Sequence, residues 1–254
     1  MKPYLSVIIP MYNEKENLNR GVLEEVFNFL QKQKFSYEVV VSDDGSTDGS
    51  KEEVQKVIGK LNGFSLLENK HGGKPAALLS GLYASRGEIV LFSDMDQSTP
   101  ISEFSKLAPF FEKGYKVVIG SRGLERKNFS LYRKLGSLVF RIFRQALLLR
   151  GLSDTQCGFK AFCRADLADV FPRLEFFNAK EKPKGWRVTS YDVELLFLLE
   201  KQGCKIAEVP VDWQDRDIST GKGGNAVLKY FRESQEMLLE ILRVKLNAMT
   251  GKYV

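Results

Sequence analysis

Short apolar runs that stop at polar turns, each followed by a stretch of helical period, set the narrowest limits on how this chain folds. Leu5 to Ile9 is stopped by Pro10, and Glu14 to Lys32 follows with Val22, Val26, Phe29 and Leu30 near helical spacing. Tyr37 to Val41 precedes a helical stretch from Asp48 to Leu61. Phe64 to Leu67 leads through His71-Gly72-Gly73-Lys74 into a helix from Pro75 to Ala84. Ile89 to Phe92 precedes a helix from Pro100 to Phe111, and Lys116 to Gly120 is a further strand. Strands that alternate with helices at this spacing need crossover connections, so the pattern predicts parallel βαβ units in an α/β fold with a mostly parallel central sheet.

Beyond residue 121 the character changes. The segment from Arg122 to Arg150 is basic, and from Leu131 it has helical spacing, with Leu131, Leu135, Leu138, Ile142, Ala146 and Leu149 on one side. Lys134, Arg141, Arg144 and Arg150 take much of the rest. Two readings stand: a helix packed on the core with a solvated basic face, or one resting on an anionic membrane. Asp154 to Phe162 reads as a polar loop running into a strand. Trp186 to Glu200 contains a helix, Lys205 to Val211 is a late strand, and Ala226 to Leu246 is an amphipathic helix.

A length of 254 residues fits one large domain better than two equal ones. A formal charge of +6 favours an anionic partner without naming it. The three cysteines form no CxxC and the single histidine rules out an all-histidine metal site; the cysteine spacing suits a reducing compartment. No secretory signal is visible, and no apolar run reaches the roughly 18 to 20 residues that span a bilayer, so membrane contact is expected to be peripheral.

The chemistry gathers where strands end. Ser93-Asp94-Met95-Asp96 follows the apolar run Ile89 to Phe92, and Asp94 and Asp96, two apart, share one side of an extended segment. Both can then approach one Mg²⁺ or Mn²⁺; the competing reading is a capping turn before Ser98-Thr99-Pro100. Asp43 and Asp44 follow Val39 to Val41, where one carboxylate could meet a ribose or base while the other supports the fold. Pro10, Tyr12 and Glu14 sit at the first strand exit and can offer an aromatic wall and polar contacts. Lys74 either touches phosphate or faces solvent, and Arg216 to Gly224 has the make-up of a loop that closes over phosphates. The glycines match neither a Walker loop nor a GxGxxG fingerprint, and no GxSxG elbow is present. Cys157 reads as a packing residue, and Asp154 as an acceptor contact, a base or a cap.

In order and spacing, Val7-Ile8-Ile9-Pro10-Met11-Tyr12-Asn13-Glu14, Asp43-Asp44-Gly45-Ser46-Thr47-Asp48, Gly72-Gly73-Lys74, Asp94-Met95-Asp96-Gln97-Ser98-Thr99-Pro100, Gly120-Ser121-Arg122 and Asp154-Thr155-Gln156-Cys157-Gly158-Phe159-Lys160 resemble family 2 glycosyltransferases of the GT-A fold. The nearest pattern is that of dolichyl- or polyprenyl-phosphate glycosyltransferases. The resemblance implies a catalytic domain over 1–225, with 226–254 as an amphipathic helix and tail packed on it or lying on a membrane. It implies that Pro10, Tyr12, Glu14, Asp43 and Asp44 line the nucleoside site, and that Asp94 and Asp96 hold Mg²⁺ or Mn²⁺ with the sugar diphosphate. Ser98 stands where some relatives place a metal-contacting glutamine. Arg122 and Arg133 would face the acceptor phosphate, with Lys74, Arg216 and Lys222 on donor or acceptor phosphates. The expected reaction is inverting transfer of a hexose to dolichyl or polyprenyl phosphate, with UDP-glucose favoured over GDP-mannose as donor. Extension of a saccharide is the alternative, and a non-catalytic nucleotide or nucleic-acid binder is a different class; no nucleic-acid module is recognised, so no nucleic acid is expected as a partner. The expected location is the cytoplasmic face of a membrane, reached through basic and amphipathic surfaces or a membrane-bound partner.

Overall fold

A computed structural model describes residues 2–123, 143, 145–178, 191–216, 218 and 226–253, with the backbone alone over 226–234 and at 236. Most of the helix read from Leu131, residues 131–142 and 144 with Arg133 among them, and Lys222 in the late loop lie outside the described residues.

Seven strands form one sheet: β1 Leu5–Met11, β2 Tyr37–Asp43, β3 Phe64–Glu68, β4 Ile89–Phe92, β5 Val117–Ser121, β6 Lys160–Cys163 and β7 Ile206–Pro210. Their spatial order is β3-β2-β1-β4-β6-β5-β7. All pairings are parallel except those of β6, which runs against both β4 and β5. The helices are α1 Lys15–Leu18, α2 Val22–Leu30, α3 Ser50–Ile58, α4 Lys74–Ala84, α5 Phe104–Glu112, α6 Arg164–Val170, α7 Glu175–Asn178, α8 Tyr191–Lys201 and α9 Ala226–Met249.

Period-two alternation sorts the strand side chains onto two covered faces. Leu5, Val7, Ile9, Val39, Val41, Leu91 and Val118 meet α2, α3 and α5 through Val22, Val26, Val54, Phe104 and Leu107. Ile8, Val90, Phe92, Ile119 and Phe162 meet α4, α6, α8 and α9 through Leu78, Leu82, Leu167, Val193, Leu196, Ile241 and Val244. Burial on both faces is why β1 and β4 read as unbroken apolar runs. The helix α4 lies so close that a Cβ at Gly81 would stand 2.5 Å from Ile8 Cγ2.

Two boundaries depart from the sequence reading. β1 does not stop at Pro10 but continues to Met11. Its last partner in β4 is opposite Ile8, so Pro10 lies where that side of β1 is an edge and no ladder donor is missed. The single helix expected from Glu14 to Lys32 is two, broken where Gly21 takes φ +76°.

Candidate active site

In an open α/β sheet a ligand crevice forms outside the carboxyl ends of strands where the chain order reverses. Here that point lies between β1 and β4, flanked by β2 on one side and β6 on the other. Every motif singled out from the sequence within the described residues ends at this rim.

Asp94 and Asp96 follow β4. Asp94 Oδ1 accepts a 2.5 Å bond from the Lys74 ammonium, with the two side chains about a third and a fifth exposed. Burial opposes the charge on Asp94, but Lys74, helped by Lys160 and Arg122, outweighs it and holds the carboxyl below its ordinary value. The other oxygen, Oδ2, rests in a notch at Gly158, where a Cβ would come within 1.9 Å of it. Asp96 Oδ1 accepts the Ser98 N–H, and its carbonyl accepts from Arg20 Nη2. The turn between them is knitted by Gln97, held at φ +50°, whose amide donates to Ser93 Oγ and the Asp94 carbonyl while its oxygen accepts from Ile101 N.

Asp43 and Asp44 close β2, and both are buried. Asp43 accepts from Ser46 N and Oγ. Asp44 accepts from Gly72 N at 2.8 Å and Gly73 N at 2.9 Å, and its Oδ2 lies 2.8 Å from His71 Nδ1. The carboxylate thus clasps the glycine turn that delivers Lys74. Tyr12 stacks on His71, with ring centroids 4.5 Å apart and planes at 25°. Pro10 is buried in β1, and Glu14 accepts from Asn17 Nδ2 while its own N–H donates to Ser50 Oγ.

Arg122, just past β5, grips Asp154 with two bonds, Nε to Oδ2 at 2.7 Å and Nη2 to Oδ1 at 2.8 Å, and its backbone N–H adds a third. Its guanidinium lies over the Trp213 ring. Burial works against the charge, yet Asp154 holds the guanidinium pKa above its ordinary value. Arg216 N donates to Ser98 Oγ, its carbonyl accepts from Arg20 Nη1 at 2.5 Å, and its side chain pairs with Glu25. Ser98 therefore ties the late segment to the acidic turn.

Three contributors were not read from the sequence. Arg20 joins the carbonyls of Asp96 and Arg216 across the rim. Lys160, 1% exposed, donates to the Cys157 carbonyl and lies 3.0 Å from Asp192 Oδ1. It faces the end of β4, opposite Phe92 in register. A lysine opening an otherwise apolar strand was the available signal for it, while Asp192 opens a helix and reads as an ordinary first-turn acid. Cys157 is buried as expected for packing, and burial raises its thiol pKa.

Asp94 and Asp96 are hard oxygen donors suited to Mg²⁺ or Mn²⁺. Among the described residues no group of three or more His, Cys, Asp or Glu forms a metal cluster. The Asp94 and Asp96 side chains are both partly exposed at the rim, and Asp94 is paired there with a side-chain cation, the Lys74 ammonium.

Residues 6–171 match the family described as Glycosyl transferase family 2. A dolichyl-phosphate beta-glucosyltransferase of Dictyostelium discoideum is 34% identical, over 98% of this chain and 76% of its own. The Homo sapiens enzyme of the same name is 30% identical, over 98% and 77%. The solved glucosyl-3-phosphoglycerate synthase of Mycobacterium tuberculosis, in complex with Mn²⁺, UDP and glucosyl-3-phosphoglycerate, superposes with a TM-score of 0.65 at 20% identity, covering 96% of this chain and 80% of that one. The fold, the rim and these matches agree: the chain belongs to glycosyl transferase family 2 and is a glycosyltransferase of the GT-A fold.

Proposed function

We propose that the protein transfers glucose from UDP-glucose to dolichyl or polyprenyl phosphate, with inversion at the anomeric carbon, at the cytoplasmic face of a membrane. The observation that carries this reading is the rim itself: a carboxylate pair after β4 for the donor, and a held cation, Arg122, after β5 for an anionic acceptor. The names of the relatives support glucose and a dolichyl phosphate.

Asp94 and Asp96 would hold Mg²⁺ or Mn²⁺, which when bound supplies charge stabilisation to the departing diphosphate. Tyr12, fixed by its stack on His71, offers a flat face to the base. Lys74, whose ammonium is paired with Asp94, would contact the diphosphate. Arg122 is oriented by two bonds to Asp154, so its charge is aimed before the acceptor arrives and little reorganisation is needed. A phosphate acceptor is already ionised near neutral pH, so Asp154 serves as the positioning residue for Arg122 and no strong base is required. Arg133 and Lys222 complete the phosphate contacts on the strength of the resemblance.

A lipid-borne acceptor requires a way to the bilayer. No helix among the described residues is long and apolar enough to cross a membrane. Leu239, Leu242, Leu246 and Met249 form an exposed stripe along α9, opposite the buried Ile241 and Val244. Met237 of the same helix receives a bond from Gln156, two residues from Asp154. We assign this stripe to peripheral contact with the membrane.

The test is incubation with Mg²⁺ or Mn²⁺, dolichyl phosphate and labelled UDP-glucose, with labelled GDP-mannose in parallel. Glucose label in the organic phase is expected. Mannose label alone would change the donor, and label that stays in aqueous glycan would replace the lipid acceptor with a saccharide.

A further inference from the structure

Lys74 is the residue whose position the proposed chemistry least explains. Its ammonium does not stand off the acidic pair as a phosphate-binding lysine would, but sits on it, 2.5 Å from Asp94 Oδ1. Burial works against the charge, while Asp94, Asp192 and Asp96 together outweigh it and raise the lysine's pKa. One monovalent cation thus pairs with a carboxylate, Asp94, that a divalent ion is expected to use.

The two oxygens of Asp94 are not equivalent. A Cβ at Gly158 would stand 1.9 Å from Oδ2 and 2.9 Å from Oδ1, so Oδ1, the oxygen held by Lys74, is the one farther from that wall. A metal ion that takes Asp94 through Oδ1 must share or displace the ammonium. The lysine's backbone is fixed, because the two preceding glycine N–H groups are clasped by Asp44. Its four-carbon stem is not fixed by this clasp and carries a compact charge that can move a few ångströms to another anion.

We propose that Lys74 is a place-holding cation that couples the metal ion to the nucleoside diphosphate: a divalent ion gains Asp94 only as the ammonium leaves it, and the diphosphate is the anion that takes the ammonium up. This rests on the assignment of a metal to Asp94 and Asp96. The metal alone must then bind weakly, the diphosphate must tighten it, and by linkage the metal must tighten the diphosphate by the same factor. Lys74 acts here as a positioning residue on the metal side and a ligand on the donor side.

The experiment counts bound Mn²⁺ from the electron paramagnetic resonance signal of the free ion, with and without UDP. Wild type is compared with Lys74→Met, and with Lys74→Gln as a second uncharged variant should the first not fold. In wild type UDP is expected to tighten Mn²⁺ by about tenfold or more, within the usual range of coupling between sites. In the uncharged variants Mn²⁺ alone is expected to bind about tenfold tighter than in wild type, with most of the coupling to UDP gone. Uncharged variants that bind Mn²⁺ alone no tighter than wild type, while UDP still tightens it, would overturn the place-holder and leave the metal site standing. No Mn²⁺ binding by wild type even with UDP would overturn both.

Discussion

At the scale of single residues the rim is a set of charges held by one another, and each hold can be tested. Arg122 and Asp154 are mostly buried, so Arg122→Met strands a carboxylate and is expected to cost roughly 3 kcal/mol or more of stability, read from denaturant unfolding. Adding Asp154→Asn should recover much of that stability without recovering transfer, which separates the structural from the catalytic share of the pair. The thiol of Cys204 is pushed up to about 11, first by burial and then by Asp166. An unfolded chain releases that proton near about pH 8.5, so above it the unfolded state binds fewer protons and stability falls as pH rises toward 11. Cys204→Ala should flatten that part of the profile. That Asp94 and Asp96 stand at the rim was legible in the sequence, because they directly follow the buried apolar run of β4. Lys160 and Arg20 were not, since their significance depends on carbonyls and carboxylates brought in from distant parts of the chain.

At the scale of elements, the turn after β4 and the segment before β6 form one device. Gly158 is where the Cys157-Gly158-Phe159 backbone approaches Asp94, leaving no room for a side chain. Gly158→Ala is expected to push Asp94 out of place and lower transfer about a hundredfold, the usual result of misplacing a reacting group by about an ångström, while the melting temperature moves little. The alternation of strands and helices was readable because each buried strand carries its own apolar run and polar stop. The reversal of β6 was not, because a four-residue strand looks the same in either direction. The break at Gly21 was hidden by apolar residues that keep a helical period on both sides of it, yet it is the turn that brings Arg20 to the rim. Asp44 was read as a possible ligand for a ribose or base; its role in the fold as the clasp of the Gly72-Gly73 turn needed the packed structure to be seen.

At the scale of the molecule, the sheet is covered on both faces and the motifs gather at the rim beyond β1 and β4, and α9 carries an exposed apolar stripe on the helix that touches that rim through Met237. Leu242→Glu and Leu246→Glu are each expected to weaken sedimentation with anionic vesicles by about tenfold, the order of one leucine's burial. The variants should use a short, water-soluble polyprenyl phosphate at the wild-type rate; unchanged vesicle binding would move the membrane contact elsewhere. Donor binding through a divalent ion on the acidic pair after β4 is the step on which the proposed reaction depends. Calorimetric titration of UDP into wild type and Asp96→Asn, each with Mn²⁺ and with chelator, tests this most directly. Wild type is expected to bind UDP with Mn²⁺ and to lose most of that affinity with chelator or on substitution, with the fold intact by circular dichroism. UDP binding of equal strength in all four titrations would contradict it.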